Sequence, residues 1–266
     1  MTTIELVRKL ERAEADVSLR AAKVCKEHGA DMRVRPALGG WAIDFGPGSP
    51  LSQVLFAGME GEVTEEELGE VESAFFARDV ATTISLCPYA DASLVKILGK
   101  RGYRITHFEH TMLRGLDDSD AVVAAPGVRQ ARREDWTACT DVVCNAFFPE
   151  GDAPDSVRNL FEVLFGAEGA GVFLAMQEST IAACAGVTVT GEVAVLAGDG
   201  TVPRFRGLGL QNELIRTRCG FARQQGCGLA MSSTVPGSSS QRNYERQGFR
   251  VAYTKALLTK EPGTPK

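Results

Sequence analysis

Apolar and polar residues alternate along the first 28 positions with the spacing of an amphipathic helix. Ile4, Leu6, Val7 and Leu10 are interleaved with Glu5, Arg8, Lys9, Glu11 and Arg12, which predicts a helix over 3–28. A turn-rich run, Gly46-Pro47-Gly48-Ser49-Pro50, separates this helix from the next strand. The pattern predicts that strand at 54–58, then a helix over 65–78, a strand at 82–87, a short helix over 91–101 and a long strand over 103–113. The polar run Asp117-Asp118-Ser119-Asp120 and the turn pair Pro126-Gly127 mark a linker over 119–127. Beyond it the pattern restarts: a strand at 128–131, helices over 134–147 and 154–166, and a hairpin of 172–178 and 181–190 turning at Ser179-Thr180. A strand at 193–201, a helix over 210–225, a strand at 229–235, a helix over 238–247 and a strand at 249–259 complete the chain. Strands interleaved with helices predict an α/β layered fold with parts 1–118 and 128–260 and a tail, 261–266.

The two parts are similar to each other. Displaced by 146 positions, Ser93, Lys96, Gly102, Tyr103 and Arg104 fall on Ser239, Arg242, Gly248, Phe249 and Arg250. In both places a short helix stops at a glycine suited to a helix C-terminus and runs into a long strand.

Composition narrows the classes. The 266 residues are 44% hydrophobic and 24% charged, with a mean hydropathy of −0.06, enough to build a core without disulfide or metal staples. A net charge of −5 and a pI near 5.4 argue against a nucleic-acid partner. The longest apolar stretches, 121–125 and 169–176, fall far short of the ~18 residues that cross a bilayer. The N-terminal helix lacks the apolar core of a signal peptide, and the seven cysteines, without a Cys-x-x-Cys pair, read as reduced core residues of a cytoplasmic protein.

The sharpest local signal is Pro203-Arg204-Phe205-Arg206-Gly207-Leu208-Gly209-Leu210-Gln211, between a strand and a long helix. A glycine turn at a helix start aims several backbone N–H groups at one anion, with the helix dipole behind them. From 204 to 250 there are eight arginines and two acids, which suits a ligand bearing several phosphates. A P-loop would need Gly-Lys-Ser/Thr, which this stretch lacks. A dinucleotide fold would need a third glycine, where Asn212 stands, and an acid about 20 residues on, where 225–229 reads Gln-Gly-Cys-Gly-Leu.

These residues resemble the GNAT superfamily of acetyl-CoA-dependent N-acyltransferases, whose signature is Arg/Gln-x-x-Gly-x-Gly/Ala between the fourth strand and the next helix. Arg204-x-x-Gly207-x-Gly209 is a formal match; Arg206-x-x-Gly209-x-Gln211 also sets Pro203, Leu214 and Ile215 at the family's proline and aliphatic positions, with Gln211 replacing Gly or Ala. The run from Ser238 to Phe249 is similar to the family's closing helix, in which a tyrosine just before Gly-Phe protonates the departing thiolate; Tyr244 holds that place. Seven residues earlier, where the family often has Asn, stands Gly237. The run 240–254 also resembles bacterial GNAT proteins built of two halves.

The resemblance covers about 127–258 and implies a tandem GNAT-like α/β fold of mixed, mostly antiparallel sheets with flanking helices. It implies that acetyl-CoA is the co-substrate, bound through Thr201, Val202, Arg204, Arg206, Gly207, Leu208, Gly209, Leu210, Gln211 and Asn243. No metal is expected, and the acceptor would be a primary amine of a small molecule or peptide, attacking the thioester directly in a monomer or homodimer. In the first half the loop position carries Glu60, Glu62, Glu65, Glu66 and Glu67, which would repel a pyrophosphate, and Leu98 takes the place of Tyr244. Residues 1–118 are therefore expected to be a degenerate copy. For a base, Asp199 and Glu192 are the candidates, since all three histidines (28, 107, 110) precede the linker. Glu150, Asp152 and Asp155 could attract a cationic amine. A CoA-binding regulator without turnover is the alternative expectation.

Overall fold

The computed structural model describes residues 2–121, 125–148, 153, 158, 161–162 and 165–263. The architecture is α/β, with mixed and mostly antiparallel strands and flanking helices, as expected. The chain divides into two compact units, Met1–Thr111 with Ala252–Lys266, and Met112–Val251.

The first unit opens with α1 (Ile4–Glu27), whose N-cap Thr3 accepts a hydrogen bond from the Leu6 N–H. A hairpin of β1 (Arg33–Ala37) and β2 (Gly40–Asp44) comes next, which the sequence pattern does not reveal. Arg33, Arg35 and Pro36 spoil the apolar alternation of β1, and they can do so because it is an edge strand, where proline is tolerated. The turn residues Leu38 and Gly39 both take positive φ, as tight hairpins require. Then come β3 (Gln53–Leu55), α2 (Glu65–Phe76), β4 (Thr82–Leu86), α3 (Ala92–Lys100) and β5 (Arg104–Gly115), which belongs to the second unit from Met112 onward. The chain's last strand, β11 (Arg250–Lys260), pairs antiparallel with β4, from Ala256↔Leu86 to Lys260↔Thr82. The strand read at 249–259 thus lies, from Ala252 onward, in the first unit. Val54, Leu68, Val71, Phe75, Ile84, Leu94 and Leu98 form the core.

The second unit contains β6 (Val128–Gln130), α4 (Trp136–Phe147), β7 (Ala170–Gln177), β8 (Thr180–Thr190), β9 (Val193–Thr201), α5 (Leu210–Gln224), β10 (Leu229–Thr234) and α6 (Ser239–Arg246). Its strand order is β10-β9-β8-β7-β6, antiparallel except for the parallel pair β10–β9. The period-two alternation of a strand divides the core between two faces. Ala183, Ala185 and Val187 meet Leu214, Ile215 and Ala222 of α5, while Cys184 meets Cys139 and Val143 of α4. Gly200 lets α4 rest on β9: a Cβ there would stand 2.7 Å from the Val142 carbonyl oxygen. The helix read at 154–166 and the acids Glu150, Asp152 and Asp155 fall largely or wholly outside the described residues. All seven cysteines are buried free thiols, and among the described residues no helix is long and apolar enough to cross a membrane.

Candidate functional site

The site begins where two strands part. The β9–β10 pairing runs only from Val193↔Leu229 to Leu196↔Ser232, and the Ser232 hydroxyl closes the last rung by donating to Leu196 O at 2.8 Å. Past it β9 continues to Thr201 and β10 to Thr234 without further rungs between them. On its other edge β9 stays paired with β8 through a register shift between Cys184 and Gly186. The diverging edge of β9 can therefore pair with an extended ligand. The Val202 N–H turns to the other edge and donates to Ala182 O, and its carbonyl accepts from Phe205 N, both at 2.9 Å. Backbone groups of neighbouring strand residues point to opposite edges, so those of Thr201 face the opening.

Beyond β9 the chain makes a short 3-10 turn, Pro203–Phe205, anchored by the buried Phe205 ring. Arg204 lies over that ring at 4.7 Å, and residues 206–209 are exposed. Gly209 then enters α5 with φ +78°, a left-handed conformation that glycine adopts without strain. It supplies no side-chain cap, and among the described residues no hydrogen bond reaches the N–H groups of Gly207, Leu208, Gly209, Leu210 or Gln211. A run of open N–H groups at the positive end of a helix dipole is an anion site. Of the arginines in the basic stretch, Arg216 is paired with Glu213, Arg218 with Asp199 and Arg223 with Asp118. Arg204 and Arg206, which carry no ion pair among the described residues, lie in the loop itself.

Behind the opening lies a buried polar network. Arg218, fully buried, uses all five of its N–H groups. Nε donates to Leu214 O at 3.1 Å, Nη1 to Gly186 O at 2.9 Å and Asp199 Oδ1 at 2.6 Å, and Nη2 to Asp199 Oδ2 at 3.0 Å and the Tyr244 hydroxyl at 3.4 Å. Tyr244 in turn donates to Asp199 Oδ2 at 3.0 Å. Gln211 Nε2 reaches the same oxygen at 3.2 Å and Ser240 Oγ at 3.3 Å, while its Oε1 accepts from Asn243 Nδ2 at 2.5 Å. Burial pushes the Tyr244 phenol up; Arg218 opposes this and Asp199 adds to it, so the phenol stays protonated. Burial alone would lower Arg218, but the charge and hydrogen bonds of Asp199 outweigh it and hold the guanidinium above its usual range. The Tyr244 ring also packs edge-on against Phe249, 5.0 Å between centroids, so the residue has a packing role besides its polar one.

The structure thus brings Asp199, Gln211, Asn243 and Tyr244 together, and sets Arg204, Arg206 and Gly207 through Gly209 in one exposed loop, with Leu210 buried at the start of α5. Asn243 and the Gln211 side chain turn toward the network rather than to the loop surface. Glu192 lies at the paired end of β9, in the turn before Val193, away from the opening. Sequence reasoning misses Arg218, which is hidden among the cations of the basic stretch. The signal is its spacing: with Leu214 and Ala222 four residues to either side, it falls on the buried stripe of α5. Among the described residues no group of three or more His, Cys, Asp or Glu side chains could hold a metal.

Residues 128–249 match the sequence model of the acetyltransferase (GNAT) family. The chain carries the GNAT acetyltransferase fold. Among solved structures it is similar to a GCN5-related N-acetyltransferase from Kribbella flavida, at 20% identity and a TM-score of 0.62, over 93% of this chain and 96% of that one. A functionally unknown conserved protein from Staphylococcus epidermidis matches at 12% identity and a TM-score of 0.60, over 90% and 97%. A tandem GNAT protein from the clavulanic acid biosynthesis pathway matches at 15% identity and a TM-score of 0.57, over 82% and 77%. No curated protein matches the sequence.

Proposed function

We propose that the chain is a cytoplasmic N-acyltransferase that moves the acetyl group of acetyl-CoA to a primary amine of a small molecule or peptide. The observation that carries this reading is the uncapped start of α5, with Arg204 and Arg206 beside it, next to the parted strands β9 and β10. Those features fit the two ends of the co-substrate. The N–H groups of Gly207 through Gln211 hold the pyrophosphate, Arg204 and Arg206 add charge, and the backbone of Thr201 pairs with the pantetheine arm. The amine attacks the thioester carbonyl as the neutral base and gives its surplus proton to water, and holding both reactants in one site supplies much of the acceleration. Tyr244 gives its proton to the departing thiolate; its hydroxyl must first turn from Asp199, and Arg218 at 3.4 Å then steadies the phenolate. Asp199 sets the direction of that hydroxyl. The first unit is a degenerate second copy of the design; the likeness to a tandem GNAT protein supports this, as does the match of the Kribbella protein to nearly the whole chain.

One observation favours a second reading, a CoA-binding regulator without turnover. Tyr244 is almost fully buried and points its proton at Asp199. Thiol release from acetyl-CoA over a panel of amines separates the two. An acyltransferase releases thiol with at least one amine, and Tyr244→Phe lowers kcat while the Kd for acetyl-CoA barely changes. Stabilisation by CoA without thiol release from any amine would leave the regulator.

A further inference from the structure

Arg218 connects four of the elements around the opening. Its guanidinium bonds to Gly186 of β8 where the β8–β9 register shifts, to Asp199 of β9 just past the last β9–β10 rung, to its own helix at Leu214, and to Tyr244 of α6. No other polar group in the network spans all four. The two oxygens of Asp199 are held by the two terminal nitrogens of a planar fork, which fixes the carboxylate in angle as well as position. The Tyr244 hydroxyl therefore has its direction set at second hand. Gln211 ties the same carboxylate to the first turn of α5, so the anion loop and the phenol share one framework.

We infer that Arg218 is a positioning residue of the acyl-transfer site, holding the divergence of β9 and aiming the Tyr244 hydroxyl through Asp199. This rests on the acyltransferase reading for its kinetic consequence, but its geometric consequence stands apart from turnover. A lysine has the charge without the fork, so Arg218→Lys keeps a cation and loses the simultaneous grip on Gly186, Asp199 and Tyr244.

The test labels the four tyrosines with 3-fluorotyrosine and identifies the Tyr244 fluorine resonance by its loss in Tyr244→Phe. In Arg218→Lys that resonance shifts or splits before any CoA is added. The kcat falls about tenfold or more, while the KM for acetyl-CoA stays within about threefold and CoA still raises Tm. Should Arg218→Lys fail to fold, the double variant Arg218→Met with Asp199→Leu removes both charges of the pair and leaves neither unpartnered. It is expected to fold and bind CoA with the Tyr244 resonance moved and kcat reduced. A Tyr244 resonance and a kcat like those of the wild type in whichever variant folds would overturn the inference. If the wild-type protein transfers no acetyl group to any amine, the acyltransferase reading falls and the fluorine resonance alone decides the role of Arg218.

Discussion

Helices α2 and α5 occupy the same place in the 146-residue displacement, with Leu68 on Leu214 and Phe75 on Phe221, yet their first turns are built in opposite ways. At the start of α2 three N–H groups, those of Val63, Thr64 and Glu67, are taken by side chains. Thr64 Oγ1 accepts from the Glu67 N–H at 3.2 Å, Glu67 Oε2 accepts from the Thr64 N–H at 2.7 Å, and Ser93 Oγ accepts from the Val63 N–H at 3.0 Å. Glu65, Glu66 and Glu67 then place negative charge on the dipole. At α5 a glycine stands at the cap, the N–H groups are open and arginines flank them. A glycine at the cap forgoes only about a few tenths of a kcal/mol, a small cost that a bound anion would offset. The buried charges are reversed as well. Glu72 of α2 falls on Arg218 of α5, Gln53 on Asp199 and Leu98 on Tyr244. One helix buries a carboxylate between Arg101 and Lys260, the other a guanidinium against a carboxylate and a phenol. The start of α2 is capped and acidic, whereas the start of α5 is uncapped and flanked by arginines.

Four substitutions probe that contrast. The largest effect is expected from Glu72→Leu, which leaves Arg101 and Lys260 without their buried carboxylate. A loss of about 3–5 kcal/mol is expected in urea unfolding, with the CoA response of the surviving fold unchanged. Burial pushes Glu72 up, but Arg101 and then Lys260 outweigh it and hold the carboxyl below its usual 4.5. Its stabilisation is therefore fully present above that value and lost as the pH falls below it, through the lowered folded-state value. The wild-type and variant stabilities should converge on acidification; a constant difference would show that the charge of Glu72 is not what matters.

Next is Gly209→Asp, which gives α5 a carboxylate at its cap, at a φ that aspartate tolerates. CoA at 100 times its Kd should stabilise the wild type by about 2.7 kcal/mol and the variant not at all. An undiminished thermal shift would move the anion site away from this helix. Arg206→Ala should weaken CoA binding about tenfold, or about 1.4 kcal/mol, and flatten its salt dependence in titrations at two ionic strengths. Unchanged affinity at both would leave the backbone amides and Arg204 as the contributors.

The features that sequence reveals are those written locally. The order of strands and helices follows from apolar spacing, and the loop 203–211 from its glycines and arginines, because a turn is specified by its own residues. The β1–β2 hairpin escapes this reading because an edge strand needs no apolar alternation. That β11 joins β4 could not be read either, since the pattern of 252–260 says which face is buried but not which sheet receives it. The ion pair of Arg218 and Asp199 joins positions 19 residues apart through tertiary packing. Gln211, a departure from the family motif at one end of the site, proved to be a link to its other end.

The smallest expected effect tests the closed helix alone. Thr64→Ala removes the hydroxyl that accepts from the Glu67 N–H and leaves the glutamate half of the reciprocal cap in place. A loss of about 1 kcal/mol is expected, measured as a shift in the urea midpoint with an unchanged slope. The freed N–H group still lies within the field of Glu65, Glu66 and Glu67, so uncapping should create no affinity for CoA. If Thr64→Ala gains CoA-dependent stabilisation, then the cap alone, and not the carboxylates, separates α2 from α5.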